Sequence, residues 1–124
     1  MELELGRKFG SEFVDEDEFV RMVVDLIIKE FAANESEFLE FVRGRIIDVF
    51  GIDVGTNIDD YLESLEKLKK LLTDDEFYYV VGFIASFRRL YTKKISLMDF
   101  IGSHGLLNFV KFAYRSPSFF DRLF

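Results

Sequence analysis

The stretch Thr73-Asp74-Asp75-Glu76-Phe77-Tyr78-Tyr79-Val80-Val81-Gly82-Phe83-Ile84-Ala85-Ser86-Phe87-Arg88-Arg89 decides the fold. Thr73 and Glu76 are three apart, a capping-box pattern that opens a helix, and no residue from Phe77 to Phe87 carries a charge. A helix that is apolar all round has no face to offer to water, so it belongs at the centre of a domain with other helices wrapped around it. Arg88, Arg89, Lys93 and Lys94 follow where cations meet the negative end of the helix dipole. Phe77, Tyr78 and Tyr79 set rings on consecutive faces of one turn, so at least one of them must face outward or line a groove.

Working outward, the flanking segments read as amphipathic helices around that centre. Before it, a helix is expected from about Asn57, with Ile58, Tyr61, Leu62, Leu65, Leu68 and Leu72 as its stripe and Glu63/Lys67 and Glu66/Lys70 as outer pairs. A further helix opens at Asn34, with Glu37 three residues on, and runs through Phe38, Phe41, Val42, Ile46, Val49 and Phe50 to a stop at Gly51. The first helix follows Asp15. Its residues Phe19, Val20, Val23, Val24, Ile27, Ile28 and Phe31 cover most of the circumference, which predicts extensive burial. Residues 1–14, with Gly6 and Gly10 and weak periodicity, are expected to be irregular, leaving 15–124 as a single helical domain.

After the centre, Ser96 and Asp99 cap a fifth segment that Gly102-Ser103-His104-Gly105 splits into two short helices around a turn. Ser116 and Pro117, the sole proline, start a last short helix with Phe119, Phe120, Leu123 and Phe124. The fold class is therefore all-α: a compact bundle of five to six helices around a central apolar one.

Composition narrows the function. The 124 residues are 49% hydrophobic, with 16 phenylalanines and 5 tyrosines, so aromatic side chains must dominate the interior or an interface. There is no cysteine, which removes thiolate nucleophiles, disulfides and zinc-thiolate sites and points to a reducing compartment. A formal charge of −7 disfavours nucleic acid and anionic membrane surfaces as partners. No stretch reaches the roughly 18 apolar residues of a membrane span, and Met1-Glu2-Leu3-Glu4-Leu5 lacks the pattern of a signal peptide, so the chain reads as neither membrane-spanning nor secreted.

Catalysis is not advertised. The single histidine, His104, is next to Ser103, but neighbours in sequence do not by themselves form a nucleophile and base pair. The acidic clusters Asp15-Glu16-Asp17-Glu18, Asp59-Asp60 and Asp74-Asp75-Glu76 each fall at a helix start, where the dipole favours carboxylates, and none has metal-ligand spacing. No metal, cofactor or enzymatic activity is expected; binding another protein is.

Phe100-Ile101-Gly102-Ser103-His104-Gly105-Leu106-Leu107-Asn108-Phe109-Val110 resembles the second homology region of the Bcl-2 family of apoptosis regulators, Trp-Ile-x-x-x-Gly-Gly-Trp-x-x-Phe-Val. The residues that carry the match are Phe100, Ile101, Gly105, Phe109 and Val110, with Phe for the first Trp, one Gly deleted and Leu for the second Trp. Val23-Val24-Asp25-Leu26 resembles the family's N-terminal homology region, and Phe77 to Ile84 sits where the family has Trp-Gly-Arg before an apolar run. In this chain Tyr79 stands for the arginine that pairs with an aspartate of the bound death-motif helix, and Tyr78 for the glycine that allows close approach. Only Thr92 to Ile95 separate the central helix from the second homology region, where the family has a further helix. Such brevity and divergence suit a viral homologue.

The resemblance implies an anti-apoptotic protein of the host cytoplasm, acting at the mitochondrial surface, that sequesters the death-motif helix (Bcl-2 homology region three) of a pro-apoptotic partner. It implies a groove lined by Val42, Ile46, Val49 and Phe50, by Leu65, Leu68 and Leu72, and by Phe77, Tyr79 and Phe83. Loss of the arginine removes a charge-assisted hydrogen bond of about 1.5–3 kcal/mol, similar to what one buried apolar anchor contributes, so several anchors could sustain binding without it. Leu39-Glu40-Phe41-Val42-Arg43-Gly44 lacks the aspartate that would follow the glycine of a death motif, which favours the protective role. The alternative from another class is a helical module that pairs with itself, forming a homodimer, or inhibits an unrelated host target through exposed rings.

Overall fold

A computed structural model of the chain describes residues 15–123; the segment 1–14, expected to be irregular, lies outside the described residues. Seven helical segments follow one another among the described residues: α1 (Glu16–Phe31), α2 (Glu35–Phe50), α3 (Ile58–Lys69), α4 (Asp74–Tyr91), α5 (Leu97–Ile101), α6 (His104–Arg115) and α7 (Pro117–Leu123). They form a small all-α bundle, with no strand among the described residues.

Each of the first six helices begins where a short polar side chain can take the place of the missing carbonyl. Asp15 accepts from the Glu18 N–H at 2.8 Å, Asn34 from Glu37 at 3.2 Å, Asn57 from Asp60 at 2.9 Å and Thr73 from Glu76 at 3.2 Å. Ser96 accepts from Asp99 at 3.1 Å and Ser103 from Leu106 at 3.3 Å. At Thr73 the box is reciprocal, since the Thr73 N–H donates to Glu76 Oε1 at 3.0 Å. At Asn34 the return bond comes instead from its side-chain amide, which donates to Glu37 Oε2 at 2.9 Å. Gly51 ends α2 at φ +70°, the left-handed conformation that glycine adopts without a side-chain clash.

Helix α4 is the centre. Val80, Ile84, Phe87 and Leu90 recur along one side of it and are fully buried, and Tyr78, 67% exposed, is the ring that faces outward. Helix α6 crosses α4 where Gly82 faces Gly105: a Cβ on Gly105 would stand 2.4 Å from the Gly82 carbonyl oxygen and 2.1 Å from Ser86 Oγ. The glycine that interrupts the fifth segment in sequence is thus what lets two helix backbones approach so closely. Helix α7 closes the end of the bundle, with Phe119 buried against Phe109 and Phe112 and Arg122 bound to Glu76 at 2.5 Å.

The α2–α3 connection is more firmly held than a loop read as Asp53-Val54-Gly55-Thr56 suggests. Ile52 and Val54 are fully buried, and two arginines hold the chain around them. Arg43 of α2 makes a two-pronged pair with Asp53, Nε to Oδ1 and Nη2 to Oδ2 both at 2.9 Å, and donates to the Tyr91 hydroxyl at 2.9 Å. Arg88 of α4 donates to the carbonyls of Val54 and Thr56 at 2.9 and 3.0 Å while its guanidinium lies over the Tyr61 ring.

Helix α1 departs from expectation. Only Phe19 is buried, and Val20, Val23, Val24, Ile27, Ile28 and Phe31 remain partly exposed. The ends of α1 and α6 are joined by the Glu16–Arg115 ion pair at 3.0 Å and by Phe19 against Tyr114. Toward its C-terminal half, Val23, Ile27 and Phe31 pack against the core, Phe31 meeting Phe38 and Phe41 at 5.1 and 6.1 Å, and the part of this face left uncovered borders open space.

Candidate peptide-binding groove

That space is a groove of about 860 Å³ between the α1–α2 pair and the α4–α6 centre. Its walls come from Val23, Leu26, Ile27 and Phe31 of α1 and from Phe38, Phe41, Val42, Ile46, Val49 and Phe50 of α2. Its floor is Phe83 of α4, Phe100 of α5, and Leu106, Phe109 and Val110 of α6. The only charged residues among those lining it are Glu30, Glu37 and Arg45.

Helical periodicity explains how the walls arise. Phe38, Val42, Ile46 and Val49 fall on one side of α2, and Val23, Ile27 and Phe31 on one side of α1. The floor is fixed by ring packing: Phe83 stacks on Phe109 with centroids 4.3 Å apart, and Phe100 meets Phe83, Phe38 and Phe87 at 6.3, 6.1 and 5.9 Å. The floor is thus held by ring-to-ring packing, while Val23, Ile27, Val42 and Val49 of the walls are only partly buried.

Magnitude decides what the space is. A sealed void of this volume, at about 24 cal/mol per Å³, would cost on the order of 20 kcal/mol, more than the roughly 5–15 kcal/mol by which a domain is stable. It is therefore a groove that solvent or another element fills, and Phe41, 56% exposed, stands at its lip. The volume lies within the range of about 300–1,000 Å³ typical of ligand sites.

The residues expected to line a groove divide into two groups. Val42, Ile46, Val49, Phe50 and Phe83 come together in it. Leu65, Leu68, Leu72, Phe77 and Tyr79 do not line it: Leu68 is buried, Leu65, Leu72 and Phe77 pack partly buried against the core, and Tyr79 stacks on Phe112 at 4.6 Å. The second wall is α1, not α3. Of the homology-region match, Phe100, Phe109 and Val110 lie in the floor, Ile101 is in the core, and Gly105 makes the helix crossing.

Sequence reading missed the α1 wall, although a signal was present. The apolar residues of α1 cover more of its circumference than one-sided packing requires, whereas α3 carries a narrower stripe whose Tyr61 and Leu68 are buried in the core.

The polar candidates are occupied with local structure. Ser103 Oγ accepts from the Leu106 N–H and donates to the Phe100 carbonyl at 2.7 Å, so it serves as a cap, and His104 is exposed at the first position of α6. The three acidic clusters stand in the first turns of α1, α3 and α4. Among the described residues, no three His, Asp or Glu side chains are grouped so as to hold a metal ion, and no helix is long and apolar enough to cross a membrane. Comparison with known protein families, with curated proteins and with solved structures finds no match to this chain.

Proposed function

We propose that the chain is a stoichiometric binding protein that captures an amphipathic helix in the groove between α1–α2 and α4–α6. The observation that carries this reading is a wide apolar groove, open at the lip where Phe41 stands, over a floor of locked aromatic rings. The α2 wall from Phe38 to Phe50 runs for roughly 18 Å at 1.5 Å per residue, enough for about three turns of a bound helix with anchors at i, i+3 or i+4, and i+7. Joined to the resemblance carried by Phe100 to Val110, this supports a Bcl-2-like, anti-apoptotic protein of viral type. It would sequester pro-apoptotic death-motif helices in the host cytoplasm, at the mitochondrial surface.

The two tyrosines in the place of the family's glycine and arginine do not border this groove. Ligand selection therefore rests on the α1 and α2 walls. Calorimetric titration with a panel of synthetic death-motif helices tests the reading. One-to-one, sub-micromolar binding to some of them, weakened at least about tenfold by Phe41→Ser, is expected from loss of one large apolar contact. Silence across the panel, or binding indifferent to Phe41→Ser and to Val42→Phe, would refute it.

A second reading, self-association, is favoured by a separate set of exposed apolar side chains. Ile58 and Leu62 of α3, Leu71 after it and Tyr78 of α4 are 54%, 50%, 75% and 67% exposed. A dimer in sedimentation equilibrium that Leu71→Glu and Tyr78→Glu convert to monomer would establish it, and a monomeric native chain would exclude it.

A further inference from the structure

Resting on the groove reading above, we propose that the helix this groove accepts carries lysine or arginine residues at the end that lies over the α1–α2 turn. The apolar lining fixes that the occupant is amphipathic; the distribution of charge at the lips gives it a direction.

Glu30, in the last turn of α1, continues the face that begins with Val23 and Leu26/Ile27, in a place where a further apolar residue would extend the wall. Glu37, in the first turn of α2, starts the line Glu37, Phe41, Arg45 that forms the other lip. Both carboxylates thus line the same end of the groove, where α1 hands over to α2. Arg45, two turns away from Glu37, is already engaged in an interaction of its own.

Several acids of the bundle are paired with cations, and the two at this end of the groove are not. Glu16 pairs with Arg115, Glu35 with Lys93 and Glu76 with Arg122. Among the described residues neither Glu30 nor Glu37 has a cationic partner; Glu37 accepts only from the neutral amide of Asn34. Glu30 also sits at the carbonyl end of α1, where the dipole makes a negative charge unfavourable. A cation brought by the occupant would relieve that repulsion and meet Glu37 in the same step. The net charge of −7 adds a long-range attraction for such a helix.

The test uses the full chain and four synthetic helices with the same leucine anchors at i, i+4, i+7 and i+11. They carry a lysine pair at the first end, a lysine pair at the last end, a glutamine pair, or a glutamate pair. Titration at low salt is expected to show one lysine peptide binding about tenfold tighter than the glutamine peptide, as two exposed ion pairs allow, with the glutamate peptide weakest. The advantage should fade in about 0.5 M NaCl and disappear in the Glu30→Gln/Glu37→Gln variant. If lysine and glutamine peptides bind alike while Phe41→Ser still weakens both, the groove stands and this inference is overturned. If none of the four binds, the groove reading and the inference that rests on it both fall.

Discussion

The α4–α6 crossing and the α1–α2 hairpin are built from the same kinds of side chain, yet one is filled to contact and the other leaves about 860 Å³ open. At the crossing, backbones touch through Gly82 and Gly105, and Val80, Ile84 and Phe87 have no exposed surface. At the hairpin, Val23, Ile27, Val42 and Val49 keep part of their surface free although nothing polar competes for it. Stability concentrated in one half allows the other to keep an unfilled apolar surface, which is what a protein needs if a second chain is to complete its core. Substitutions should therefore fall into two groups according to the half they touch.

The sharpest break is expected within the crossing itself. Gly105→Ala puts a Cβ 2.4 Å from a backbone oxygen and 2.8 Å from Ser86 Cβ, and neither atom can yield without parting the helices. A loss of about 3 kcal/mol or more is expected, at the upper end of what overpacking costs, read as a fall in the denaturant midpoint. Gly82→Ala meets only the Gly105 Cα at 3.9 Å, and alanine gains about 1 kcal/mol over glycine in helix propensity, so that variant should be neutral or stabilised. Equal effects at the two glycines would mean the close approach is not as described.

Next comes the clasp on the α2–α3 connection, which fastens the groove's α2 wall to the packed half. The Arg43–Asp53 pair is about a third exposed on each side, between a surface pair and a buried one, so Arg43→Ala should cost about 1–3 kcal/mol. The Arg43 guanidinium, helped by the Gly55 N–H, holds the Asp53 carboxyl below its ordinary value of 3.8. In the unfolded chain Asp53 takes up its proton near that value, and in the folded protein only at lower pH. Its contribution is therefore complete above the ordinary value and is lost as the pH falls through the depressed one. Asp53→Asn should lower stability at neutral pH and flatten its decline in acid; an unchanged acid limb would show that the pair contributes nothing.

The difference between the two halves also marks how far the sequence could be read. Helix ends were legible because the capping chemistry is local: Asn34, Thr73 and Ser96 act within three residues of themselves, although the same role of Ser103, read as part of a turn, went unrecognised. The central place of α4 was legible because a run without charge has nowhere else to go. Which neighbour walls the groove was not, because α1 and α3 both present apolar residues at helical spacing and the choice depends on tertiary packing. The expectation that Leu65, Leu68 and Leu72 would line it came from the resemblance, and in the structure Leu68 is buried in the core instead. The buried Ile52 and Val54 were equally hidden, since nothing local shows that Arg43 and Arg88 will reach back to the segment that carries them.

A smaller effect is expected at Tyr61, on the packed side. Its ring is buried beneath Arg88, and its hydroxyl is buried with no hydrogen-bond partner among the described residues. Burial raises its pKa, keeping it neutral, but a neutral hydroxyl without a partner still forfeits its hydration. Tyr61→Phe retains the ring under the guanidinium and removes the orphan, so a gain of about 1 kcal/mol, a few degrees in thermal midpoint, is expected. A loss of stability would reveal a buried water holding the hydroxyl.

The smallest stability change is expected where the functional change is greatest. Val42→Phe adds volume to the groove, where nothing need move to admit it, so stability should stay within about 0.5 kcal/mol of the native chain. The same enlargement at Val80, which has no exposed surface, should cost about 1–3 kcal/mol by overpacking. Chemical denaturation of the two variants gives the comparison directly. If both lose stability alike, the α1–α2 side is as tightly filled as the α4–α6 crossing and there is no room for a bound helix. If Val42→Phe folds like the native chain yet no longer takes up helical peptides, the unfilled space is the binding site, because the only thing the new ring has displaced is the occupant.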